Sequence, residues 1–198
     1  LLAVAKKTDV DLVVVGSRSH SFVHDLFLGS VAKEVAHKSD IPLLIDRIET
    51  TDAGTPGTCA AVCQQKLDRL LLATDLSEQS KSAEDVAVYL AAKAGETDSL
   101  VVLPDESTVG FNPEQVEVTT VLEGILKRIK QEGGRGRARI EHGDPADIIA
   151  RVGQEGYTLI IVGRHGRDWI EDMIIGSTAA KVSEIAKRPV LIVPLRKG

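Results

Sequence analysis

Three short stretches of this chain recur further along it at one fixed offset, and that recurrence constrains the fold more than any single motif does. Asp11-Leu-Val-Val-Val-Gly16 resembles Thr158-Leu-Ile-Ile-Val-Gly163. Leu28-Gly-Ser30 resembles Ile175-Gly-Ser177, and Ile41-Pro-Leu-Leu-Ile45 resembles Arg188-Pro-Val-Leu-Ile192. From Gly16 to Gly163, from Gly29 to Gly176 and from Pro42 to Pro189 the separation is 147 residues each time. A unit is therefore duplicated. The second copy spans 66–198, whereas 1–48 matches only the last third of such a unit. Between them, 49–65 reads as a linker, with Thr-Pro-Gly57 at its turn-rich centre. The counterpart of Leu70 would fall before Leu1, so roughly 80 residues of the first copy are expected upstream. The only methionine is Met173, which gives the same expectation of a piece of a longer chain.

Composition sets the outer limits. In 198 residues, 43% hydrophobic content supplies a core and 27% charged content leaves no run long enough to span a membrane. A net charge of -5 excludes nucleic-acid binding by bulk phosphate neutralisation, so any anion site must be local. Cys59 and Cys63 cannot form a disulfide framework, and no signal-peptide pattern opens the sequence. A cytoplasmic protein is the expectation.

Within the complete copy, apolar runs alternate with helical periods. Arg69–Thr74 is a continuous apolar run suited to a strand covered on both faces. Ser77 is expected to cap a helix reaching Ala94, which Gly95 stops. Leu100–Leu103 is the second strand, Pro113–Gln131 a helix, and Arg137–Glu141 an edge strand. Asp144 and Pro145 open the next helix as cap and first helical residue. Leu159–Val162, Ser177–Lys187 and Val190–Val193 complete the pattern as strand, helix and strand. Strict alternation implies right-handed crossovers and a parallel sheet, which binds ligands at the carboxyl ends of strands beside its switch point.

The chemistry concentrates after the fourth strand. Gly163-Arg-His-Gly166 is followed by nine residues and then Gly176-Ser177 at a helix start. Glycines there let backbone N–H groups approach a phosphate chain, and the helix start adds a hydroxyl and free amides. Arg164, His165 and Arg167 concentrate positive charge in an acidic chain. Equally, the glycines could serve only to turn the chain and pack the helix. No Gly-Lys-Ser/Thr follows, so this is not a P-loop.

Gly-x-x-Gly, nine residues and Gly-Ser resemble the nucleotide motif of the universal stress protein family. The resemblance extends to Leu71-Leu-Ala-Thr-Asp75-Leu-Ser77, to Gly143-Asp-Pro145 and to Arg188-Pro-Val-Leu-Ile-Val193. It implies an α/β fold of the adenine-nucleotide alpha-hydrolase type: a five-stranded parallel sheet in the order 3-2-1-4-5, flanked by helices, with the carboxyl-terminal third of a second such domain before it. It also implies an ATP site, with Asp75 at the adenosine and Gly163, Arg164, Gly166, Gly176 and Ser177 at ribose and phosphates. Leu103 stands near the family's contact after the second strand, where Leu100-Val-Val-Leu-Pro104 departs from the usual pattern. Asp75 has an alternative role as a cap for the next helix. Mg or Mn would accompany the nucleotide, and Asp168, Glu171 and Asp172 would either assist that cation or keep the loop soluble.

The first copy differs at the loop: Gly16-Ser-Arg-Ser19 carries serine where the second glycine belongs. An added Cβ disfavours positive φ and close phosphate approach, so this copy is not expected to bind nucleotide. His20, His24 and Asp25 lack a fourth donor at ligand spacing, Cys59 and Cys63 lack partners, and the arginines of 133–139 coincide with an edge strand. No catalytic triad, acid–base pair or Walker lysine is present, which favours an ATP-binding regulatory stress-response protein and leaves only slow hydrolysis open. The alternatives are a nucleotide-free dimerisation or interaction module and the regulatory tail of a transporter. The closing strands 42–45 and 189–193 are expected to pair antiparallel, between tandem halves or in a homodimer, because each would otherwise be an open apolar edge.

Overall fold

The structure, a computed structural model, describes residues 1–18, 29–48, 67–103, 113–167 and 175–195. Seven strands form one sheet: β1 (Val13–Arg18), β2 (Leu43–Ile48), β3 (Arg69–Ala73), β4 (Glu96–Leu103), β5 (Ala138–His142), β6 (Leu159–Gly163) and β7 (Val190–Val193). The described helices are α1 (Leu2–Lys7), α2 (Ser30–Lys38), α3 (Lys81–Ala91), α4 (Pro113–Gln131), α5 (Pro145–Gly153) and α6 (Ser177–Ile185). The strand order is β1-β2-β7-β6-β3-β4-β5. Counted within 66–198 alone, this is the expected 3-2-1-4-5 order. The five strands of 66–198 are extended by β2 and β1 into a single seven-stranded sheet, through the antiparallel pairing of β2 with β7 that was expected of the closing strands.

That junction is the one antiparallel pairing among the described strands, with Leu43 opposite Ile192, Leu44 opposite Leu191 and Ile45 opposite Val190. Leu43 and Ile45 are 1% and 0% exposed. The apolar edge foreseen at each closing strand is thus consumed by the other, within one chain.

Strand alternation divides the core into two layers. Leu71, Leu100, Ile160, Val190 and Leu43 share one face with α2, α5 and α6. Leu70, Val101, Leu159 and Leu191 share the other with α3 and α4. This continuous apolar patterning is what buried parallel strands require. On β1, Val13 and Val15 are buried whereas Val14 is 56% exposed.

The 147-residue offset governs hydrogen bonds as well as letters. Val13 N donates to Pro42 O as Ile160 N donates to Pro189 O. Lys33 N donates to Gly29 O as Ala180 N donates to Gly176 O. Ser39 N donates to Val35 O as Ala186 N donates to Val182 O.

Several boundaries shift. A 3-10 turn over Glu78–Ser80 precedes α3, which ends at Ala91 rather than Ala94. Ser77 makes no side-chain cap; its hydroxyl is spent on Asp75. β4 begins at Glu96, four residues before the expected start, because the backbone of its polar half is paired, Thr97 N donating to Arg135 O and Ser99 N to Arg137 O, and the Asp98 carboxylate accepts from the Tyr157 hydroxyl at 2.6 Å and from Arg137 N at 2.8 Å. Asp144 caps α5 as expected, accepting from Asp147 N at 3.1 Å.

Candidate functional site

β3 and β6 are parallel neighbours, with Ala73 opposite Val162, so their carboxyl ends finish level. Asp75 follows one end and Gly163 closes the other. The chain turns sharply after Asp75, where Leu76 has φ of 60°, a left-handed value that costs a side chain steric strain. Asp75 Oδ1 accepts from Ser77 N at 3.1 Å and from the Ser77 hydroxyl at 2.6 Å. Its other oxygen, Oδ2, accepts from Arg167 N at 2.5 Å, and the Arg167 guanidinium donates back to Asp75 O at 3.2 Å. The aspartate is therefore in direct contact with the glycine loop.

Gly163, Gly166 and Gly176 occupy crowded positions, and none of them adopts positive φ. A Cβ on Gly166 would lie 2.6 Å from Asp75 Oδ2. On Gly163 it would lie 3.0 Å from His165 O, and on Gly176 3.2 Å from Arg164 O. The Arg164 backbone pins the loop, its N–H donating to Val193 O and its carbonyl accepting from Gly176 N, each at 2.8 Å. Gly176 is the N-cap of α6 and Ser177 is its exposed first residue, so the first-turn amides have no acceptor within the helix. Asp75, Gly163, Gly166, Gly176 and Ser177 thus lie together at the carboxyl ends of the central strands β3 and β6, where a helix start favours negative charge.

Two expected residues stand elsewhere. Leu103 ends β4 on the same strand face as Val101, and strand alternation sends both into the core beneath α3 and α4. Arg164, expected at ribose and phosphates, has its guanidinium on the segment 1–48. Its guanidinium donates to Ser39 O at 2.6 Å and to His37 O, carbonyls at the carboxyl end of α2, with Asp40 Oδ1 at 3.6 Å. Unpaired helix carbonyls and their partial negative charge are a natural partner for it. Burial pulls the guanidinium pKa down, and Asp40 opposes that shift. From the other side, Arg47 of β2 donates to Ser183 O in α6 at 2.5 Å, and Lys33 pairs with Glu184 at 2.7 Å.

Beneath Asp75 lies a group that sequence spacing does not reveal. The Thr74 hydroxyl donates to Glu84 Oε1 at 2.7 Å and accepts from Leu76 N at 3.0 Å, and Ser80 lies between them. Ser19, His20, His24, Asp25, Cys59, Cys63, Asp168, Glu171 and Asp172 lie outside the described residues.

A loop of crowded glycines at a helix start, facing an aspartate across a parallel-sheet switch point, matches the motif from which the resemblance was drawn. The family model described as the universal stress protein family matches residues 1–47 and 66–194. The chain belongs to that family. This universal stress protein is similar to YxiE of Bacillus subtilis, 28% identical over 145 residues, which covers 64% of this chain and 98% of YxiE. It resembles the crystal structure of a universal stress protein from Archaeoglobus fulgidus with a TM-score of 0.74 and 25% identity; 98% of this chain aligns with 65% of that longer one. A universal stress protein solved in complex with cAMP shares the fold at a TM-score of 0.54 and 20% identity, covering 65% of this chain and 98% of its own.

Proposed function

We propose that this stress-family protein is a regulatory ATP-binding protein, with adenosine at Asp75 and ribose and phosphates along Gly163, Gly166, Gly176 and Ser177. The observation that carries it is the close approach of Gly166 to the Asp75 carboxylate, which brings the glycine loop and an aspartate together beside the start of α6. That the family includes a member solved with cAMP supports an adenine nucleotide as ligand. A divalent cation, Mg or Mn, would enter with the triphosphate. The sequence carries no Walker lysine and no catalytic triad, which favours slow turnover at most. We read 1–48 and 66–198 as tandem halves joined by 49–65, with nucleotide held by the second. No described helix is long and apolar enough to cross a membrane.

The decisive experiment is a thermal melt of nucleotide-free protein with increasing ATP. Binding at about 100 times Kd adds about 2.7 kcal/mol of stability. An unchanged melt at millimolar ATP, with no nucleotide released on denaturing freshly purified protein, would refute the proposal. The β2–β7 pairing and its arginine clasps favour a second reading, an interaction module in which the shared sheet is the function. A flat melt would leave that reading standing.

A further inference from the structure

We infer that Glu84 and Thr74 form a buried positioning pair for the nucleotide site, setting the orientation of Asp75 and hence selection at the adenosine end. The inference rests on the proposed role of Asp75. Glu84 is 6% exposed and Thr74 6%, on the first turn of α3 and just past the end of β3. A buried carboxylate is retained only with partners, and the close donor to Glu84 Oε1 is the Thr74 hydroxyl at 2.7 Å, with the Ser80 oxygen beside it at 3.4 Å.

The consequence runs along the chain. A threonine hydroxyl has one proton, and by donating it to Glu84 the Thr74 oxygen is left to accept from Leu76 N at 3.0 Å. Leu76 is the residue with φ of 60°, a conformation a leucine keeps only when its surroundings impose it. The Ser80 hydroxyl holds the following residue through Ser77 O at 2.8 Å. Ser77 in turn fixes Asp75 Oδ1 through both its N–H and its hydroxyl. Asp75 sits between two anchored residues, so its carboxylate reaches Arg167 N and Gly166 without freedom to swing away. The Glu84 charge itself touches no part of the cleft described above; it works through Thr74.

The test is a double-mutant cycle on the full chain, with ATP affinity, tripolyphosphate affinity and melting temperature measured on every variant. Thr74→Val removes the hydroxyl at nearly constant shape and is expected to weaken ATP about tenfold, the loss of one charge-assisted anchor. Tripolyphosphate, which has no adenosine, is expected to bind as before. Glu84→Gln keeps an oxygen for the Thr74 proton and is expected to bind ATP within about twofold of wild type, whereas Glu84→Ala follows Thr74→Val. In an Asp75→Ala background the Thr74→Val effect on ATP is expected to vanish while its effect on melting persists. Additive losses on ATP, or equal losses on ATP and tripolyphosphate, would overturn the inference and leave nucleotide binding intact. Wild-type protein that binds no ATP, or an Asp75→Ala variant that binds it unchanged, would overturn the proposed function and this inference together. Should Glu84→Ala fail to fold, the Thr74→Val arm decides.

Discussion

Gly166 stands so close to Asp75 that a single methyl group at 166 would sit 2.6 Å from the carboxylate oxygen. The far end of an aspartate can move, but this one is held by Ser77 and by Arg167 N. Gly166→Ala is therefore expected to keep the fold and displace the carboxylate, weakening ATP at least tenfold by isothermal titration. Gly166→Val, with a branched Cβ, is expected to abolish the ATP-induced thermal shift. In combination with Asp75→Ala, which removes the obstructed group, Gly166→Ala should cost less than it does alone. Equal costs in both backgrounds would show that the glycine serves the loop and not the aspartate.

Arg164 carries a separate prediction. With its side chain 11% exposed and bound to carbonyls at the end of α2, it joins the glycine loop to the segment 1–48. Hydrogen bonds from a charged donor are worth about 1.5–3 kcal/mol each, and part of that is recovered when water reaches the freed carbonyls. Arg164→Ala is expected to lower stability by about 1–3 kcal/mol and to raise amide exchange at 35–39 and along β2 before it affects β3 or β4. Uniform loosening across the sheet would contradict the clasp.

Much of this architecture was legible in the sequence, for identifiable reasons. The repeat fixed which strands correspond, and the continuous apolar runs at 69–74 and 159–163 marked strands covered on both faces. An open apolar edge at each closing strand demanded a partner, and β2 with β7 supplies it. What could not be read was side-chain direction. Arg164 lies within the motif, yet its guanidinium turns away from the loop, because the carbonyls at the end of α2 are brought near only by the folded sheet. Glu84 is ten residues from Thr74 and across a turn, a separation that carries no periodic signal. The amino half of β4 was missed since Thr97, Asp98 and Ser99 look exposed, and they are buried.

Acid should erode stability through two carboxylates at the α5 end of the molecule. Asp144 is held below its ordinary pKa first by the Asp147 N–H and then by Lys181. Glu141 is held down chiefly by Arg139, with Arg151 adding to it. A depressed folded pKa means the unfolded chain binds protons more readily, so the contribution is complete above about pH 5 and disappears as pH falls below about 4. Urea midpoints measured between pH 7 and 3 are expected to fall on that limb, and Asp144→Asn with Glu141→Gln should flatten it. Screening by 0.5 M salt should shrink the Glu141 part more than the Asp144 cap, whose first partner is a backbone amide. An acid limb unchanged in the double variant would place the titration elsewhere.

The last prediction concerns Asp98, at the opposite end of the strands from the glycine loop. Its side chain is fully buried in β4, where Oδ2 accepts from the Tyr157 hydroxyl at 2.6 Å and Oδ1 from Arg137 N at 2.8 Å. Arg69 and Arg137 approach Oδ2 at 3.4 and 3.3 Å, and Arg69 also lies 4.3 Å above the Tyr157 ring. Burial, and then the neighbouring Asp98, raises the Tyr157 pKa, so the phenol stays a donor across the neutral range. The carboxylate thereby ties β3, β4, β5 and the loop before β6 at one point. Removing it leaves two arginines and a buried hydroxyl without their common acceptor. Asp98→Ala is accordingly expected to cost about 2–4 kcal/mol, since the buried Tyr157 hydroxyl loses its acceptor while the partly exposed Arg69 and Arg137 recover some solvation. Tyr157→Phe removes only one hydrogen bond and is expected to cost about 1–3 kcal/mol. Combining the two should cost less than their sum, since they delete the same contact. Because the cluster lies away from the cleft, ATP affinity measured well below the melting temperature is expected to be unchanged in Tyr157→Phe. A loss below about 1 kcal/mol in Asp98→Ala would mean that β4 is anchored by its apolar half alone.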